Sequence, residues 1–270
     1  MSRASETDLA RVLRSLGLSA WLLAMAPAAL AAVQGKEVEY RQGDTALQGY
    51  IAWNDAAKGK RPGVLVVHEW WGHNQHARNQ ARRLAQAGYV GFALDMYGKG
   101  KVATHPADAQ AFMAEATKDP AVVAGRFEAA LEQLKADPHV DPERIGAIGY
   151  CFGGGVVLSM ARSGADLDAV ASFHGMLATE HPAEAGKIRA RILVLAGAAD
   201  PFVPHDQVEA FKKEMTAAHA NFQVISYPNA KHSFTNPDAA KAGMKELAYN
   251  AAADKASWAA FLRFLKKTWP

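Results

Sequence analysis

The chain is short of cysteine and has no run of like charge, and both shortages narrow what it can be. One cysteine, Cys151, stands among 270 residues, which excludes an intrachain disulfide and any cysteine-rich zinc module. Lysine and arginine number 30 against 27 aspartates and glutamates, a net charge of +3. The basic residues are spread along the chain, so it carries no electrostatic footprint for nucleic acid. There is no internal repeat, low-complexity tract or linker rich enough to divide the sequence. With 50% hydrophobic and 21% charged residues, it has the composition for one sizeable buried core.

The longest apolar run lies near the N-terminus, where Arg11 and Arg14 precede "LGLSAWLLAMAPAALAA". A positive region, a short apolar region and an A-x-A-like exit are the layout of a secretory signal. Residues 1–31 are therefore expected to be a signal peptide cleaved after Ala31. A single domain, 32–270, would follow, a monomer in the bacterial periplasm that is free of the membrane once cleaved. The alternative is an uncleaved anchor, since the uncharged stretch Ser15–Gln34 is nearly long enough to span. Pro27 and the alanine-rich end oppose it. An unpaired thiol in an oxidising compartment is a liability unless it is buried or used.

Beyond the leader, "VEYRQ" and "LQGYIAW" alternate around Gly43-Asp44, which predicts an antiparallel hairpin. "GVLVVHE", "YVGFALD", "RIGAIGY", "DAVASFH", "RILVLAGAAD" and "FQVISYP" are mostly continuous apolar runs, as in strands covered on both faces. Helical segments separate them, one starting at Pro120 in the first-turn position that proline tolerates. Buried strands alternating with helices imply a doubly wound, mostly parallel sheet of about seven or eight strands with helices on both faces.

Gly149, Cys151 and Gly153 read G-x-C-x-G between a strand and a helix. This is a nucleophile elbow with sulfur in place of oxygen. The cysteine would sit at a helix N-terminus, where the macrodipole favours thiolate. A dinucleotide-binding turn would need glycine at 151, whereas an inert buried thiol stays open. A nucleophile also needs a base and an orienting acid, following it in that fold in the order nucleophile, acid, histidine. Asp200 ends an apolar strand and His232 follows the last one, both at carboxyl ends where ligand crevices lie. Asp95 competes as the acid but precedes the cysteine. His105, His139 and His181 adjoin prolines in loops, His205 suits a helix start and His219 a helix end. "HEWWG" ends the strand before the first crossover, so the backbone N–H groups of Trp70 and Phe152 are the candidate oxyanion donors. Trp71 offers an apolar wall, with Phe234 and Asn236 as further pocket candidates. Glu69 beside a thiol would oppose thiolate formation.

Together, "HEWWG", "ARRLAQAGYV", "DMYG", "IGYCFGG", "AGAAD" with "FVP", and "KHSF" resemble the dienelactone hydrolase family over about residues 37–267. The resemblance implies the α/β-hydrolase fold, a Cys151–Asp200–His232 triad, no metal or organic cofactor, and hydrolysis of small-molecule lactones and esters through a thioester. It also implies that Glu69 restrains the thiol until substrate binds. Two family arginines that clamp a substrate carboxylate are missing, Asn236 standing in one place, so anionic dienelactone would need Lys99 or Lys101 instead. A ligand-binding relative without catalysis, or an acyltransferase, are the alternative functions.

Overall fold

The computed structural model describes residues 33–270; the proposed signal peptide lies outside the described residues. The hairpin forms as β1 (Val33–Gln42) and β2 (Thr45–Asn54), turning at Gly43, whose φ of 55° suits glycine. The apolar runs become β3 (Arg61–Val67), β4 (Val90–Leu94), β5 (Val140–Tyr150), β6 (Ala169–Phe173), β7 (Arg191–Gly197) and β8 (Phe222–Tyr227). They assemble as one eight-stranded sheet in the order β1-β2-β4-β3-β5-β6-β7-β8. From β4 to β8 all pairings are parallel, and β2 adds antiparallel to β4.

Strand periodicity shows why these runs are apolar throughout. In β3, Val64 and Val66 pack on one side of the sheet and Leu65 and Val67 on the other. The first side is covered by α1 (Gln75–Gln86) and the terminal helix α6 (Ala251–Thr268), which contribute Leu84, Phe261 and Phe264. The second is covered by α2 (Pro106–Thr117), α3 (Pro120–Ala136), α4 (Phe152–Arg162) and α5 (His205–Ala217), with Phe127, Val157 and Phe211. Two buried faces leave no solvent side for polar residues to occupy.

The chain runs from β3 to β4 in one direction, then crosses back over β3 to β5. Strand order therefore reverses between β3 and β5, and the crevice at their carboxyl ends is where such sheets bind ligands. The segment after β3 carries Glu69 and Trp70, and Cys151 follows β5. Among the described residues, no helix is long and apolar enough to cross a membrane.

Candidate active site

Cys151 sits between β5 and α4 with φ 52° and ψ −116°, a conformation that costs an L-residue on the order of 1–3 kcal/mol. Its surroundings enforce it. The Cys151 N–H lies 3.1 Å from the Phe173 carbonyl and 3.2 Å from His174 Nδ1. The Cys151 carbonyl accepts from Gly154 N–H at 3.0 Å, opening α4. The flanking glycines are required by contact: a Cβ on Gly149 would strike the Gly153 carbonyl, and one on Gly153 the Val67 and His68 carbonyls. Cys151 occupies the N-cap position of α4, and no side-chain hydrogen bond caps the helix.

Asp200 and His232 come together as the sequence order requires. His232 Nδ1 donates to Asp200 Oδ2 at 2.8 Å, and the Phe202 N–H donates to Asp200 Oδ1 at 2.9 Å. With Nδ1 bound to a carboxylate, which only accepts, Nε2 is the nitrogen left for Cys151. Burial pushes the His232 pKa down. The charge of Cys151, hydrogen bonds with Asp200 and Cys151, and the Asp200 charge outweigh burial and raise it to about 10. The neighbouring groups therefore favour the charged imidazole over the neutral one. Phe202 is 39% exposed and stands edge-on to the imidazole at 5.1 Å, on the solvent side.

The loop after β3 is fastened by its carbonyls. His68 Nδ1 donates to the Glu69 carbonyl at 2.5 Å, Tyr97 Oη to Trp70 at 3.0 Å, and Ala103 N–H to Trp71 at 2.9 Å. Among the described residues, the N–H groups of Trp70 and Phe152 have no hydrogen-bond acceptor. Trp70 and Trp71 are half-buried and pack edge to face. Asp95, the rival acid, is committed elsewhere: its carboxylate accepts from the N–H groups of Tyr97 and Gly98 at 2.8 and 2.9 Å and of Gln48 at 3.2 Å.

Glu69, Asn236, Phe234, Lys99 and Lys101 each have partners of their own. Glu69 is buried and spends both carboxylate oxygens on the histidine loop, accepting from Ser233 Oγ at 2.7 Å and Asn236 Nδ2 at 2.6 Å. Among the described residues it has no hydrogen bond with Cys151. Asn236, only 6% exposed and bound to Glu69, therefore does not line an open pocket. Phe234 is fully buried, packs with Ala230, Ala253 and Tyr227, and stands edge-on to His174 at 5.2 Å. Lys99 and Lys101 form ion pairs with Glu39 and Glu115 at the surface.

His174 was not singled out in the sequence. It is buried, and burial pushes its pKa well below the usual histidine value, so it is neutral. Nδ1 accepts from the Cys151 N–H, which leaves Nε2–H to donate to Thr235 Oγ1 at 2.8 Å. One neutral imidazole thus ties the elbow to the loop that carries His232. Its only sequence signal is its place at the end of a buried strand. Among the described residues, no group of three His, Cys, Asp or Glu side chains could hold a metal ion.

The chain is 32% identical over 207 residues to protein usf of Aquifex pyrophilus, covering 75% of this chain and 87% of that one. It is equally similar, 32% over 208 residues and over the same shares of the two chains, to an Aquifex aeolicus (strain VF5) protein provisionally named carboxymethylenebutenolidase. Among solved structures, a dienelactone hydrolase-like promiscuous phosphotriesterase from metagenomic libraries superposes with a TM-score of 0.82 at 38% identity, covering 88% of this chain and 99% of that one. A structure named m3DLH gives 0.84 at 39% identity, covering 88% and 100%. The model of the dienelactone hydrolase family matches residues 47–269, a span that holds the elbow, the acid and the histidine loop. The chain has the α/β-hydrolase fold and belongs to the dienelactone hydrolase family.

Proposed function

We propose that the protein hydrolyses carboxylic esters or lactones with Cys151 as nucleophile, His232 as acid and base, and Asp200 as its orienting carboxylate. The observation that carries this is the pairing of a strained cysteine at the N-terminus of α4 with a buried histidine whose other nitrogen is held by an aspartate. Thiolate attack on the carbonyl carbon forms a C–S bond and moves the carbonyl electron pair to oxygen. The Trp70 and Phe152 N–H groups face that oxyanion, and one such donor is worth about 2.7–4 kcal/mol. Collapse breaks the C–O bond, and the His232 imidazolium protonates the departing alkoxide. The now neutral imidazole takes a proton from water, which attacks the thioester. The C–S bond breaks, acid is released and the thiolate–imidazolium pair returns.

The two relatives named as a carboxymethylenebutenolidase and a phosphotriesterase support a hydrolytic role. Without the arginine clamp, neutral esters and lactones are the better substrates. The N-terminal run supports export to the periplasm, which cell fractionation and N-terminal sequencing would test. The direct test of function is hydrolysis of 4-nitrophenyl acetate. Turnover by wild type that is lost in Cys151→Ala is expected; no turnover, or equal turnover by the variant, would overturn the reading.

A further inference from the structure

A cavity of about 740 Å³, well within the size range of ligand sites, opens along the outer face of α4. Its floor is Phe152, Gly155, Ser159 and Ser163, its walls are α3 on one side and the segment from Met176 to Lys187 on the other. The floor has a register with the nucleophile. Residues four apart share a helix face, so Gly155 and Ser159 continue the stripe that starts at Cys151. From Cys151 to Ser163 that stripe runs roughly 18 Å at 1.5 Å per residue.

We propose that this groove receives the acyl chain of the substrate, and that the preferred esters are those of long, uncharged aliphatic acids. The proposal rests on Cys151 being the nucleophile. In the tetrahedral intermediate three directions leave the carbonyl carbon besides sulfur. The oxyanion faces the Trp70 and Phe152 amides and the leaving oxygen must face His232. The acyl substituent takes the remaining direction, and Phe152 is shared by the oxyanion site and the groove. Val123, Ala124 and the half-exposed Met176 give the walls apolar surface, and the groove meets the proposed site at Phe152. The charges at the far end are paired: Arg162 with Glu214 at 2.8 Å and Lys187 with Glu184 at 3.6 Å. Among the described residues, an anionic tail would find no unpaired lysine or arginine lining the groove, whereas methylenes gain by leaving water.

The test is a series of 4-nitrophenyl esters from acetate to decanoate, with octyl acetate as a control for the alcohol side. Burying a methylene is expected to raise kcat/KM roughly two- to fourfold per step until the groove is full. Gly155→Leu would plug it: a Cβ there meets Met176 only at 3.6 and 3.9 Å, so the added side chain enters the groove without disturbing the turn. The decanoate-to-acetate ratio should fall at least tenfold in that variant. A flat or falling series in wild type, a ratio unmoved by Gly155→Leu, or a preference that follows the alcohol chain would overturn the groove assignment while acetate turnover left the hydrolase standing. Failure on every ester, acetate included, would overturn both.

Discussion

Replacing Cys151 with alanine should lower the pKa of His232, and the structure sets the size of the change. In the folded protein His232 is raised from 6.5 to about 10 against the downward pull of burial, and the Cys151 charge is the largest upward influence. Removing an opposite charge at this range takes away about 1–3 units, or roughly 1.4–4 kcal/mol at 1.36 kcal/mol per unit. The Asp200 hydrogen bond remains, so part of the elevation survives. The sign for stability follows. A histidine whose folded pKa lies above its unfolded value adds stability that is complete below pH 6.5 and is lost as pH rises toward 10. In Cys151→Ala that loss moves to lower pH. Titrating the imidazole C–H resonances of wild type and variant by NMR reads the shift directly, with urea unfolding across the same range as the thermodynamic partner. His232 titrating within half a unit in the two proteins would refute the ion pair.

Other outcomes follow from the same contacts. Asp200→Asn should keep the fold but lower kcat/KM roughly a thousand- to ten-thousandfold, because the amide can favour the wrong imidazole tautomer; steady-state kinetics with circular dichroism checks both halves, and a loss under tenfold would contradict it. Glu69→Ala leaves the Ser233 and Asn236 donors buried without their acceptor, which should cost about 2–5 kcal/mol in urea unfolding; a change below about 1 kcal/mol would deny that Glu69 fastens the loop. Asn236→Arg should not confer activity on anionic lactones and should lower Tm, since the position is buried against Glu69; a selective gain on anionic lactones would show that the site is more open than described.

Much of this site was legible in the chain because its signals are local. Gly149, Cys151 and Gly153 are tied to one turn, and the steric demand on each glycine is set by backbone within a few residues and the adjoining strand. Asp200 and His232 could be chosen because strand ends in a doubly wound sheet share one edge. What was not legible depends on how loops meet across that edge. Glu69 reaches Ser233 and Asn236 more than 160 positions away, and His174 reaches Thr235 61 positions away. No periodicity encodes such pairs; they arise when β3 and β5 lie side by side with β6 to β8 beyond them. Phe234 adjoins the His232 loop in sequence, yet Ser233, with φ 54°, lies between it and His232, and Phe234 is buried with Ala230 and Ala253.

The central claim is that sulfur carries the acyl group. Wild-type protein mixed with excess 4-nitrophenyl acetate, quenched in acid within one turnover and analysed by intact and peptide mass spectrometry should show one acetyl group, located on Cys151 and removed by hydroxylamine. An acetyl group found on another residue, or none at any quench time while nitrophenol is released at full rate in Cys151→Ala, would contradict it.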